Sequence, residues 1–230
     1  MKKLLLILMC MTLVGISACS ESETDATRFK KEYEALNGNK SASGKTIRSL
    51  DIPKENPMIY TSAANAVKKI KSNKGTYVFY FGFAECPWCR SMVNNLISVA
   101  KNLKIDKVYY VDVENIRDVK EVDKSGKVVE KSKGSKAYYE LLSLLGPVLA
   151  DYSLTDADGN PVKVNEKRIY APNVVVVNNG KALDLQDGCS DLESDPYAKI
   201  TTEMNKQSKT ELKKILKLAT DTCGEVNTGC

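Results

Sequence analysis

Cys86-Pro87-Trp88-Cys89 sets two thiols three residues apart. Thiols at that spacing can close a disulfide with each other, and a thiolate formed there can attack a disulfide elsewhere. Pro87 suits the first turn of a helix, where its missing N–H costs nothing. Cys86 then stands at the helix N-terminus, where unpaired N–H groups and the helix dipole favour a thiolate over a thiol. The chemistry these residue types offer is thiol–disulfide exchange.

The flanking sequence supplies the elements that must hold such a pair. Thr76 to Phe83 is a β-branched and aromatic run, short enough for a buried strand. From Arg90 to Ala100, apolar residues return at Met92, Val93, Leu96, Ile97 and Ala100, one face of a helix. Lys107 to Val113 reads as a second strand, parallel to the first across the helix. Glu121 to Glu130 reads as a hairpin turning at Lys124 to Lys127, and Lys136 to Ala150 as a helix that Gly146-Pro147 should kink or end. Asp156 to Asn160 is superficially like a calcium loop, but Lys167 stands where a bidentate Glu is required, so a turn between short strands is expected. Val174 to Val177 is a fully buried strand, Asn179-Gly180 a tight hairpin, Ala182 to Leu185 its return, and Thr210 to Ala219 a closing amphipathic helix. The expected order is βα, β, an intervening stretch, then ββα.

Composition narrows the chemistry. The chain has 230 residues, seven cysteines and no histidine. Ser-His-Asp hydrolysis, Cys-His proteolysis and His-ligated metal sites are therefore impossible within it. No second CxxC is present to build a zinc ribbon, so no metal is expected. Basic and acidic residues are interspersed, with no Arg-rich, aromatic-interleaved surface to suggest nucleic acid.

The N-terminus carries Met1-Lys2-Lys3, an apolar stretch from Leu4 to Val14, then small residues. That is a secretory signal, too short to span a bilayer stably. Ile16-Ser17-Ala18-Cys19 resembles the bacterial lipobox, which implies lipidation of Cys19 after removal of residues 1–18. With Lys2 and Lys3 gone, the formal charge falls from +5 to about +3 over about 212 residues, ample for one α/β domain. Localisation is expected at the cell membrane, lipid-anchored on the extracytoplasmic face. Ser20 to Ser49 is poor in large apolar residues, so residues 19–55 read as a flexible membrane-proximal linker, in which Phe29 to Leu36 could form a short amphipathic helix. Five cysteines stay in the mature chain, and the pairing of Cys189, Cys223 and Cys230 is left open.

Three features together, Cys86-Pro87-Trp88-Cys89, Ala171-Pro172 before Val174 to Val177, and the Asn179-Gly180 hairpin, resemble the thioredoxin fold over roughly residues 56–219. More narrowly, the chain is similar to thioredoxin-like lipoproteins of Gram-positive bacteria, including those grouped with bacteriocin-transport accessory proteins. The resemblance implies an α/β domain over 56–222, a central mixed β-sheet flanked by helices, with an insertion over about 114–170 before the proline strand and a tail over 223–230. It implies an exposed nucleophile at Cys86, a buried resolving thiol at Cys89, and no cofactor beyond the redox-active Cys86–Cys89 disulfide. Pro87 and Trp88 would support the site, Pro172 would be its cis-proline, and the backbone at Ala171 would pair with a substrate strand. Tyr80 stands six residues before Cys86, where many thioredoxins keep a buried acid, so another group or a water must take the Cys89 proton. Arg90 could add its charge to the Cys86 site or point to solvent, and Glu85 could modulate that charge or stand as a spectator.

The expected function is exchange of disulfides in secreted or surface proteins, fed by a membrane redox partner. The alternative is a non-enzymatic accessory lipoprotein in which the fold binds a transporter or a secreted peptide. A peroxidase is the third and weakest reading, since no separate peroxide-cysteine motif is evident. Sequence alone leaves open whether the exchange runs as oxidation, reduction or isomerisation.

Overall fold

A computed structural model describes residues 22–223. Its centre is the strand β2 (Thr76–Gly82), whose alternate side chains enter two separate cores. Val78 and Tyr80 point into one, Phe79 and Phe81 into the other, as the period of two requires of a strand covered on both faces. The helix α3 (Pro87–Asn102) follows it and leads to β3 (Val108–Asp112), which pairs with β2 in parallel. On the other side of β2 lies β8 (Asn173–Asn178), antiparallel, its valines again shared alternately between the cores. β9 (Lys181–Gln186) returns from it. The Asn179-Gly180 turn between them has φ of 47° and 77°, both in the left-handed region that two-residue hairpins need. A Cβ on Gly180 would stand 2.9 Å from the Ile70 carbonyl oxygen, so both space and torsion call for glycine.

One strand and one helix lie outside the sequence-based expectation. β1 (Met58–Tyr60) pairs with the outer edge of β3, and α2 (Ala63–Lys71) buries Ala63, Ala66, Val67 and Ile70 in the second core. The mixed central sheet therefore runs β1-β3-β2-β8-β9. Between β3 and β8 come β4 (Val119–Val122) and β5 (Val128–Ser132), a two-stranded sheet, then α4 (Lys136–Leu145), then β6 (Ala150–Thr155) and β7 (Pro161–Arg168), a second two-stranded sheet. Both hairpins turn close to where the sequence suggested, and Gly146 ends α4. α4 is no surface decoration, because Tyr138, Leu141 and Leu145 are wholly buried beside α2. The closing helix α5 (Thr202–Cys223) is longer than the apolar period indicated, and it covers the first core with Leu212, Ile215 and Leu216. No helix among the described residues is long and apolar enough to cross a membrane.

The flexible linker expected over residues 19–55 is corrected across its described part. Thr24 caps α1 (Asp25–Glu34) through a reciprocal bond with Thr27, and the helix drives Phe29 and Tyr33 fully into the first core. Phe29 stacks on Tyr33 at 4.4 Å and meets the edge of Tyr110 at 5.0 Å. The extended chain that follows buries Ile47, Leu50 and Ile52. Its polar composition misled because a few large apolar residues, spaced to one face, suffice to seat the segment.

Its grip comes from Arg90, only 1% exposed. That guanidinium donates to the carbonyls of Arg48, Tyr33 and Ala84 at 2.6–3.1 Å and to Asn37 Oδ1 at 2.7 Å. Asn37 in turn brackets Leu50 through both its backbone groups. If this segment is core, Phe29→Ala lowers stability by about 3–5 kcal/mol. Urea denaturation of the mature protein measures this, and a change within about 0.5 kcal/mol would return the segment to the role of a spacer.

Candidate active site

β2 ends at Gly82, three residues carry the chain over the sheet edge, and Cys86 opens α3 as its N-cap in extended backbone. Its side chain takes the place that Ser or Asp takes on most helices. Cys86 Sγ accepts from the Cys89 N–H at 3.1 Å, and as a thiol it donates to the Ala171 carbonyl at 3.3 Å. The Ala171–Pro172 peptide is cis, the isomer the resemblance implies. Asn173 fastens this corner by accepting from the Tyr170 N–H at 2.8 Å and donating to the Pro172 carbonyl at 2.8 Å.

The sequence elements near residue 86 and near residue 171 therefore meet at one point. Cys86, Pro87, Trp88, Cys89, Ala171 and Pro172 lie together. Trp88 is half-buried and, with Tyr170, Ala171, Pro172 and Cys189, lines a groove of about 390 Å³ that carries Asp187 and Asp191 on its rim. Cys19 and Cys230 lie outside the described residues, and so does the side chain of Cys223. Cys189 is a half-buried thiol whose Sγ lies 3.6 Å from the Trp88 carbonyl, and burial pushes its titration upward.

The expectation of an exposed Cys86 is corrected: the residue is 3% exposed, against 0% for Cys89. The N-cap position draws its sulfur inward over the first turn, and the Ala171 backbone covers it. Two thiols this close titrate as a unit. The Cys86 thiol is held below its ordinary value, first by the Cys89 thiol donating to it, and further by the Cys89 and Trp88 backbone N–H groups and by the charge of Arg117. Burial works against that shift. Cys89 is pushed well above its ordinary value by burial first, then by the bond to Cys86 and its charge.

Arg117 is one of the residues near the dithiol that sequence reasoning missed. It lies between β3 and β4, in a stretch where no motif singled it out, and no spacing links it to the CxxC. Buried Asp118 fixes its position by pairing with Arg168, which also donates to the Asp118 carbonyl at 3.0 Å. The Arg117 guanidinium then lies 5.3 Å from the Phe83 ring centroid, beside the turn that delivers Cys86. Arg90, the nearer arginine in sequence, is turned to the other side of α3 and occupied by carbonyls. Glu85 is exposed.

Tyr80, six residues before Cys86, is fully buried. Its hydroxyl reaches the Cys89 thiol and shares a 3.0 Å hydrogen bond with the hydroxyl of Tyr33 from α1.

No group of three or more potential metal ligands is gathered among the described residues. No protein-family model matches the chain, and no curated protein matches it.

The two arginines separate experimentally. Arg117→Met raises the Cys86 titration, so iodoacetamide alkylation at neutral pH slows and its midpoint moves toward that of a free thiol. Arg90→Met leaves that midpoint in place but strands several buried carbonyls, lowering stability by about 3 kcal/mol. Alkylation rates read across pH, beside urea denaturation of the same proteins, check both. An unchanged Cys86 midpoint in Arg117→Met would remove Arg117 from the site.

Proposed function

We propose that this chain is a thiol–disulfide oxidoreductase of thioredoxin-like fold, anchored by lipid at Cys19 and acting on cysteine-containing proteins outside the cytoplasmic membrane. The observation that carries the reading is the Cys86 sulfur: it caps α3, accepts from the Cys89 N–H and lies against the carbonyl that precedes a cis proline. The strand order of the mixed sheet and the CxxC at the end of its central strand support the fold assignment. The basic start, short apolar core and Cys19 of the sequence support the location.

The chemistry follows from the titration of the pair. Below the pH at which a free thiol ionises, Cys86 is the thiol already shifted toward thiolate, and it attacks a substrate disulfide. The substrate S–S bond breaks, one substrate sulfur leaves with the electron pair and takes up a proton, and the other stays bonded to Cys86. Forming that mixed disulfide removes the Cys86 charge. Two of the causes that raise Cys89, its bond to Cys86 and the Cys86 charge, vanish at the moment Cys89 must ionise. Cys89 loses its proton and attacks Cys86 Sγ, the Cys86–Cys89 disulfide forms, and the second substrate sulfur departs. Run backward, the same steps oxidise a substrate dithiol.

A thiolate stabilised in the reduced state favours the oxidising direction. The groove beside Trp88 and Ala171 offers the bound segment a place next to the sulfur, and the Ala171 carbonyl could accept from a substrate backbone N–H once the thiol turns away.

The low exposure of Cys86 favours one second reading, an accessory module that binds a transporter or secreted peptide while the dithiol stays static. Single serine variants distinguish the two. Cys86→Ser abolishes exchange with a disulfide-bonded protein. Cys89→Ser still attacks but cannot resolve, so the Cys86 mixed disulfide accumulates and is caught by non-reducing mass spectrometry. If the intact protein exchanges no disulfide and Cys89→Ser yields no adduct, the exchange reading fails and the binding module remains.

A further inference from the structure

The second half-reaction leaves a question of protons. Cys89 is 0% exposed, and so are Tyr80, Tyr33 and Tyr110 around it. Bulk water does not reach the thiol that must ionise, and the side chain packed beneath it is the phenol of Tyr80. These three tyrosines are nonetheless grouped hydroxyl toward hydroxyl. Tyr80 stacks on Tyr110 at 5.5 Å, and Tyr33 meets Tyr110 edge-on at 6.2 Å. The Tyr80 and Tyr33 hydroxyls are 3.0 Å apart, and either can donate. The Tyr33 and Tyr110 hydroxyls lie close enough for each to shift the other's titration. Tyr110 donates to Glu32 Oε1 at 3.2 Å, and Tyr60 donates to Oε2 of the same carboxylate. Glu32 lies on the half-exposed side of α1. Arg28, stacked over Tyr60 at 4.0 Å, and Asp112, at the end of β3, are the charged groups nearest this outlet.

We propose that Tyr80, Tyr33 and Tyr110 form a hydroxyl chain that carries the proton of Cys89 to Glu32 during resolution of the mixed disulfide. The inference rests on the exchange function above. In the resting dithiol, the Cys89 S–H is directed to the Cys86 sulfur. Once Cys86 is bonded to substrate, that acceptor is lost and Tyr80 is the neighbour that remains.

The step balances as one shift along the chain. The S–H bond of Cys89 breaks as an O–H bond forms at Tyr80, Tyr80 passes its own proton to Tyr33, Tyr33 to Tyr110, and Tyr110 to the Glu32 carboxylate, which releases it to water. The Cys89 electron pair makes the bond to Cys86 Sγ, and the pair of the broken Cys86–substrate bond leaves with the substrate sulfur. The transfer is concerted, because burial holds the phenols far above their ordinary range and forbids a free phenolate. Afterwards the Tyr80 O–H points back at the sulfur and stabilises the thiolate until it attacks.

Ellman's disulfide reads both half-reactions in one trace. Attack by Cys86 on the reduced full-length protein releases one thionitrobenzoate, and attack by Cys89 on the resulting mixed disulfide releases a second. The Cys89→Ser variant assigns the second phase by losing it. Glu32→Gln and Tyr80→Phe are each expected to leave the first phase at its normal rate and slow the second about 100-fold, the lower part of the range for a positioned proton acceptor. The double variant is expected to be no slower than either single one, since one chain is cut in both. Raising the pH should restore the second phase, because hydroxide then takes the proton directly. Tyr110→Phe serves as the inner cut should Tyr80→Phe fail to fold. An unchanged second phase in Glu32→Gln overturns the relay, as do additive losses in the double variant. Absence of the first phase in the intact protein counts instead against the exchange function.

Discussion

A helix that begins with sulfur must satisfy its first N–H groups with sulfur, and much of this molecule follows from that constraint. The bond from the Cys89 N–H to Cys86 Sγ is an N-cap in which the acceptor is also the reactive atom. Capping is strongest when the sulfur is charged, so the helix stabilises the thiolate for the same reason that the thiolate stabilises the helix. This fixes Cys86 within one turn of Cys89 and puts both beside the Ala171 carbonyl. It also dictates that the second thiol lie beneath the first, in the dry core, where its own ionisation is opposed. One sulfur is primed because the other is suppressed.

Two arginines divide the remaining work. Arg90 is buried with no carboxylate pair among the described residues, its charge spread over backbone carbonyls of the N-terminal segment and of the turn before the CxxC. Such a group strongly favours this placement of the segment, because moving it away would leave buried charged donors unpaired. The segment in turn brings Tyr33 and Glu32 to the far side of Cys89. Arg117 faces the other thiol from a loop held by the buried Asp118–Arg168 pair. The stretch from Glu114 to Tyr170 therefore contributes charge to the site at Arg117 and a wall of the groove at Tyr170, while α4 serves the core.

Local pattern carried the strand–CxxC–helix unit, the four-valine strand and its Asn-Gly hairpin, because each of these is dictated by residues within one element or one turn. β1 and α2 were missed because a three-residue strand has no period, and α2 carries its apolar residues on a nine-residue stretch rich in lysine. The first helix failed differently. Its composition is polar enough for a linker, and only the tertiary fit of Phe29 and Tyr33 reveals it as core. At the site, the residues adjacent in sequence were legible, whereas Arg117, Asn173, Tyr33 and Glu32 were not. Each stands 31 to 87 positions along the chain from the cysteine it serves, and no spacing rule reaches that far.

A tyrosine in place of an acid beneath a dithiol has a consequence beyond proton transfer. A carboxylate under the dithiol would repel the Cys86 thiolate as well as receive the Cys89 proton, and its own burial would have to be offset. A phenol brings no charge. Tyr80 can donate to a sulfur anion and fills the first core with an aromatic ring at the same position. The charge that finally accepts a proton is displaced to Glu32, at the half-exposed edge of α1, where water keeps it solvated at little cost. Separation of the acceptor from the sulfur thus lets the reduced dithiol keep a stabilised thiolate, and it makes the N-terminal helix part of the site. A segment that composition alone would assign to a tether closes the circuit from the buried thiol to solvent.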